Sequence, residues 1–148
     1  MRFTIRFAAA APQIARRIKN YLRPALPAPT AVSKCRSSGG HLYVIDFNPR
    51  IKTKPGKLRP ALVLQSDLIN EAEYPSTIVI PTTTLLVESP GILRFRLQKG
   101  QGGVSRDSDL LLAQMIAVAN ESFRQEIGSL PNPLMEELEN RIRIILSL

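Results

Sequence analysis

Two short segments hold the residue types that could act on a phosphodiester. Residues 50 to 59 (RIKTKPGKLR) carry Arg50, Lys52, Lys54, Lys57 and Arg59 with no acid, a charge of +5 in ten residues. A loop of that composition suits the phosphates of extended single-stranded nucleic acid. A solvated charged turn is the plainer alternative. The second segment, Pro81-Thr82-Thr83-Thr84, sets three hydroxyls at the end of an apolar run. Hydroxyl groups can donate to the oxygens of a bound anion, although threonines at strand ends are common. His41 supplies the one imidazole of the chain. Its intrinsic pKa of about 6.5 suits proton transfer, while a histidine opening a strand is more often structural.

These groups need elements to hold them. His41 to Phe47 (HLYVIDF) is apolar, aromatic and β-branched enough for a strand. Asn48 to Arg59, with two prolines and a glycine, reads as the loop that follows. Pro60 to Gln65 reads as a buried strand with its proline at the first position, where no ladder N–H is needed. Ser66 to Glu73 suggests a helical turn. Further strands are expected at Thr77 to Pro81, at Ile92 to Leu97 with clean alternation, and at Asp109 to Val118, with a turn at Gly100 to Gly103. Short strands at this spacing predict a small barrel or a strongly bent sheet. The end of the chain differs in kind. Asn132-Pro133 reads as an N-cap followed by proline at the first helical position. Leu134, Leu138, Ile142 and Ile145 or Leu146 then form one apolar stripe, best read as a helix packed on the sheet.

Composition narrows the chemistry. The chain has 148 residues, 44% of them hydrophobic, enough for one ordinary globular core. Cys35 is the only cysteine, so neither an intrachain disulfide nor a thiolate zinc cluster can form. One histidine excludes a catalytic histidine pair and makes an imidazole metal site improbable. No apolar run approaches the roughly 20 residues that cross a bilayer. The net charge of +8 is unevenly placed. Residues 1 to 38 carry Arg2, Arg6, Arg16, Arg17, Lys19, Arg23, Lys34 and Arg36 without a single acid, which leaves residues 39 to 148 neutral overall. That break marks a domain boundary, with a basic N-terminal extension at 1 to 38. Within the extension, Ile14, Ile18 and Leu22 predict a short amphipathic helix. An organelle transit peptide, an arm for RNA or a membrane surface, and a dispensable extension all fit it.

The two chemical segments belong to a longer pattern. Leu42 to Leu68 contains Asp46-Phe47-Asn48-Pro49, then Gly56-Lys57-Leu58-Arg59-Pro60, then an apolar strand ending Gln65-Ser66-Asp67. This stretch resembles the first two strands of the MazF/PemK toxins, mRNA interferases of type II toxin–antitoxin systems. The resemblance continues through Ile78-Val79-Ile80-Pro81-Thr82-Thr83-Thr84, through Arg106-Asp107-Ser108 and Gln114, and into the terminal helix. It covers residues 39 to 148 and leaves the basic extension outside.

The resemblance implies an α+β fold, a small SH3-like β-barrel of the MazF/PemK/CcdB kind with a C-terminal helix. It implies a homodimer that cuts single-stranded RNA without metal or cofactor and is neutralised by a cognate antitoxin, the antitoxin complex binding DNA. In such chemistry the ribose 2′-OH attacks its own phosphodiester, leaving a cyclic phosphate and a 5′-OH. Arg59 matches the family arginine and Thr83 the family threonine, with Thr84 beside it, and the proline spacing selects Thr83 over Thr82. Arg50, Lys52, Lys54 and Lys57 would hold RNA. Such a protein is expected in the cytoplasm, organelle targeting by the extension being the alternative. The chain departs from the family pattern in four places: His41 replaces an acid, Lys52-Thr53-Lys54 replaces Gly-x-Glu, and Ile116 and Ala119 replace an arginine and an acid. The general base is therefore unassigned, with His41 a candidate. Two other functions fit the same fold: an RNA- or antitoxin-binding protein that has lost catalysis, and a CcdB-like toxin that acts on a protein.

Overall fold

A computed structural model of the protein describes residues 39–47 and 57–148. The basic extension and the loop cations Arg50, Lys52 and Lys54 lie outside the described residues. Seven strands follow one another as β1 (His41–Asp46), β2 (Leu58–Val63), β3 (Ser76–Thr83), β4 (Arg94–Leu97), β5 (Ser108–Leu111), β6 (Ile116–Ala119) and β7 (Phe123–Ser129). The helix α1 (Asp67–Glu71) lies between β2 and β3, and α2 (Asn132–Leu146) ends the fold. Every ladder is antiparallel, in the order β4-β5-β3-β2-β1-β7, with β6 also on β3. Among the described residues these ladders do not close into a ring, so the barrel is a strongly bent sheet open between β4 and β7.

Strand periodicity sorts the apolar residues onto two faces. Leu42, Leu62, Ile80, Phe95, Leu97 and Leu110 pack in one cluster with Leu138 and Ile142 of α2. Their strand neighbours Tyr43, Ile45, Ala61, Val63 and Val79 pack in a second cluster with Phe47 and Phe123. The runs Leu42–Ile45 and Ala61–Leu64 are apolar throughout because both faces of β1 and β2 are covered there. The α2 stripe is seated as its spacing predicts, and truncating a buried leucine such as Leu138 to alanine costs about 2–5 kcal/mol. Ile145 packs against the core and Leu146 stays exposed, which resolves the alternative left by the spacing.

Several details differ from the sequence reading. Strand β2 starts at Leu58, so Pro60 is its third residue, opposite Val44, and not its first. Strand β3 runs through Pro81 to Thr83, because its last residues find a new partner in β5 after β2 and β6 are used up. The run expected as one strand from Asp109 to Val118 is two strands, divided by a 3-10 turn at Leu112–Gln114. The strand β7 (FRQEIGS) was not anticipated. Its one deeply buried side chain is Phe123 and it carries no clean alternation, and β1 recruits it through a ladder with two register shifts. Its Gly128 also lets the turn Gln101–Gly103 approach backbone to backbone, and a Cβ on Gly103 (φ 83°) would overlap the Ile127 carbonyl. Finally, α2 begins at Asn132 itself, with Pro131 in the cap position and no side-chain cap hydrogen bond. The fixed φ of proline presets the entry instead.

Candidate active site on one face of the sheet

Ladder register decides which polar groups can meet. Strand β2 pairs with β3 as Ala61↔Pro81 and Leu62↔Ile80, and the same register carried two residues past the end of that ladder sets Arg59 opposite Thr83. Thr83 in turn pairs with Asp109 of β5, and Asp109 with Arg96 of β4. Partners across a ladder share a face. Arg59, Thr83, Asp109 and Arg96 therefore form one polar row across four strands, on the face of Ala61 and Val79. The row contains both residues to which the resemblance gives a catalytic part.

Thr82 and Thr83 are separated by the same alternation. Thr82 faces the helix-side core, is buried, and donates its hydroxyl hydrogen to the Pro60 carbonyl at 2.8 Å. Its role is structural. Thr83 lies half-buried on the opposite face, and its Oγ1 accepts a hydrogen bond from the Leu85 amide at 3.2 Å. Among the described residues no acceptor takes the Thr83 hydroxyl hydrogen. Arg59 is half-buried as well, and its Nη1 donates to the Thr82 carbonyl at 3.2 Å, which ties the guanidinium to the strand that carries Thr83. Thr84 is exposed at the start of the following loop. Lys57 stands exposed two residues before Arg59 with φ 67°, and its carbonyl accepts from the Phe47 amide at 3.2 Å, closing the hairpin that carries the cationic loop. A left-handed lysine costs of order 1 kcal/mol and persists where its surroundings impose it.

His41 is not brought to this row. It lies four residues along β1 from Ile45, the partner of Arg59, a rise of about 13 Å. Its ring Nδ1–H donates to Glu126 Oε1 of β7 at 2.6 Å, and Tyr43 Oη donates to the other carboxylate oxygen at 3.2 Å. The hydrogen bond from His41 holds the Glu126 carboxyl below the ordinary glutamate range, with a smaller contribution from Tyr43. Glu126 escaped the sequence reading because β7 itself did.

Asp109 is the other residue that the sequence reading missed. It is fully buried, with Arg96 Nε on Oδ1 and Arg94 Nη1 at 3.4 Å from Oδ2. The bond to Asp109 raises the Arg96 pKa above its usual value. Both guanidiniums are partly exposed, and the carboxylate between them is fully buried. The available signal was an acid inside an apolar run (SDLLL) set against Arg-Phe-Arg (residues 94 to 96), but only the β4–β5 register pairs them. The remaining landmarks of the pattern are set apart from the row. Asp46 pairs with Arg124 at 3.2 Å, and Gln114 is exposed at the end of its 3-10 turn. No cluster of three metal-ligating side chains occurs among the described residues.

A family model described as "PemK-like, MazF-like toxin of type II toxin-antitoxin system" matches residues 38–146. The chain belongs to this family. Curated relatives of the PemK/MazF chain include the endoribonuclease EndoA of Bacillus subtilis, 27% identical over 109 residues, covering 74% of this chain and 93% of the relative. Endoribonuclease MazF6 of Mycobacterium tuberculosis is 29% identical over 113 residues, covering 75% and 97%. Among solved structures, MazF from Deinococcus radiodurans superposes with a TM-score of 0.63 at 23% identity, over 78% of this chain and all of that one. A mycobacterial endoribonuclease in complex with its cognate antitoxin gives a TM-score of 0.60 at 12% identity, over 76% and 96%. The bent sheet with its C-terminal helix is thus the MazF fold. Among the described residues no helix is long and apolar enough to cross a membrane.

Proposed function

We propose that this PemK/MazF-family chain is an endoribonuclease toxin that cuts single-stranded RNA without metal, with Arg59 and Thr83 holding the scissile phosphate. The reading is carried by Arg59 being tied through Nη1 to the Thr82 carbonyl, on the strand whose next residue is Thr83. The substrate supplies the nucleophile. The ribose 2′-OH forms a new O–P bond, the bond to the 5′-oxygen breaks, and the products are a cyclic phosphate and a 5′-OH end. The protein's task is then electrostatic, since negative charge concentrates on the phosphoryl oxygens as the attacking and leaving oxygens crowd them. The planar Arg59 fork can grip two of those oxygens and stays charged at any working pH. The Thr83 hydroxyl donates a further hydrogen bond. RNA is told from DNA by the chemistry itself, because only RNA carries the 2′-OH.

Lys57 is exposed two residues before Arg59, and Arg50, Lys52 and Lys54 in the same stretch of sequence supply further charge for RNA phosphates. Neither His41, some four residues away and bonded to Glu126, nor Asp109, buried between two arginines, is placed to take the 2′-OH proton. On this reading the protein acts in the cytoplasm as a homodimer and has a cognate antitoxin as partner; the mycobacterial endoribonuclease bound to its cognate antitoxin supports the antitoxin. The test is to incubate the purified protein with long single-stranded RNA in excess chelator and to map the new ends. Cleavage at a recurrent short sequence with 5′-OH ends is expected. Binding without cutting would establish the alternative of a protein of this fold that has lost catalysis. Affinity should fall with salt at a log–log slope near −0.7 per contacted phosphate, and Lys52→Ala with Lys54→Ala should flatten it.

A further inference from the structure

The loop after Thr83 has an unusual support. It presents Leu85, Leu86 and Val87 to solvent, Leu85 with 78% of its surface exposed, so burial of apolar surface does not anchor it. Its backbone is held by guanidiniums instead. Arg94 Nη1 donates to the Leu85 carbonyl at 3.0 Å, and Arg96 Nη2 donates to the Val87 carbonyl at 2.6 Å. Both arginines are oriented by the same buried carboxylate, Asp109. Leu85, two residues after Thr83, is held through both of its backbone groups, since its amide donates to Thr83 Oγ1 while its carbonyl accepts from Arg94. Thr83 and Asp109 are themselves ladder partners.

We propose that Asp109, acting through Arg94 and Arg96, positions the Thr83 hydroxyl for its hydrogen bond to the scissile phosphate. The inference deepens the reading of Thr83 as a phosphate donor and rests on it. A hydroxyl rotates freely unless something occupies its lone pairs. The Leu85 amide takes one of them and thereby steers the Thr83 hydrogen to the open side of the face. That amide stays in place only while the exposed loop holds its course, and the loop's course depends on two guanidiniums that Asp109 fixes. A plain apolar residue at position 109 would avoid the cost of burying an acid, but it would leave both guanidiniums without an orienting partner. Asp109 touches no substrate in this scheme. It is a positioning residue, with Arg94 and Arg96 as its arms.

The experiment compares Asp109→Asn and the milder Arg94→Gln with Arg141→Gln as a control. Arg141 holds the far end of the same loop through the Gly91 carbonyl and stacks on Phe95, and it meets Arg94 only at the backbone carbonyl, not at the guanidinium that holds Leu85. Amide hydrogen exchange at Leu85 reads the positioning independently of catalysis. Exchange there should accelerate in Asp109→Asn and Arg94→Gln and stay unchanged in Arg141→Gln. For RNA cleavage, kcat should fall roughly 10- to 100-fold with KM nearly constant in the first two variants. In a Thr83→Ala background the same substitutions should cost no further activity, because residues acting through one group do not add. Unchanged exchange at Leu85, or full additivity with Thr83→Ala, would overturn the proposal. Should Asp109→Asn fail to fold, Arg94→Gln alone decides. A wild type that leaves RNA intact overturns the nuclease reading instead, and exchange at Leu85 then judges the Asp109–Thr83 linkage by itself.

Discussion

The sheet carries polar groups at two places along one face, and they are built differently. At one, Arg59, Thr83, Asp109 and Arg96 lie side by side on four paired strands, with a buried carboxylate fixing the cations around it. At the other, His41 and Glu126 meet across the β1–β7 ladder, both substantially exposed. By residue type alone, the imidazole beside a carboxylate is the better candidate for proton transfer. Its placement removes it, because four residues of strand separate it from the level of Arg59. The groups proposed to grip phosphate oxygens are gathered where ladders from several strands converge. The isolated pair sits where a single irregular ladder joins β7 to the sheet. Type proposes a role, and register disposes of it.

The sharpest contrast should come from the row. Arg59→Lys is expected to lose most RNA cleavage although the charge is kept, since an ammonium cannot reproduce the fork. Thr83→Ala should lose about 10²-fold or more, the scale of one preorganised oxyanion donor. Both should retain RNA in a filter-binding assay. Cleavage by either variant at the wild-type rate would dissolve the distinction between the two places.

Thr82→Val tests the alternation within one strand. Thr82 donates to the Pro60 carbonyl from the core face, so the variant should lose about 1 kcal/mol in a denaturant titration while cutting RNA normally. A cleavage defect larger than that of Thr83→Ala would move the catalytic register by one residue. At the other end, His41→Gln should leave kcat for RNA cleavage within about twofold, the mark of a structural rather than catalytic group. A large loss there would restore the imidazole as the base.

The smallest effect expected is on stability against pH. Glu126 is held below its ordinary pKa by the His41 hydrogen bond. Its contribution is therefore complete above the unfolded glutamate value of about 4.3 and fades as pH falls through the lower folded value. His41→Gln should be slightly less stable than wild type near neutrality, and the difference should shrink in acid below about pH 4. Both groups are well exposed, so the shift in thermal midpoint will be small. A difference that grew on acidification would reverse the assignment.

Much of this protein was legible in one dimension, and the reasons are local. β1, β2 and β3 are written in apolar runs that leave little choice of conformation, and α2 declares itself through Leu134, Leu138 and Ile142 at helical spacing. Arg59 and Thr83 were found by motif, each anchored to a nearby proline. β7 was not legible, because FRQEIGS buries little and forms a strand only when β1 offers it a ladder. The division at Leu112–Gln114 was equally hidden, since an apolar run reads the same whether it passes straight or bends between partners.

The sequence by itself therefore determined the fold class, the strands with covered faces, the terminal helix, and the two residue types that would grip a phosphate. The strands and the helix depend on periodicity, a property of short segments, while the fold class and the two residues came from the resemblance that the motifs carry. Only the tertiary structure decided which threonine faces the arginine, that His41 is remote from both, and that Asp109 underpins the loop next to Thr83. Those outcomes depend on ladder register between segments 20 to 30 residues apart in the chain. A slip of one residue would turn every side chain of a strand to the other face, and no segment read alone contains that choice.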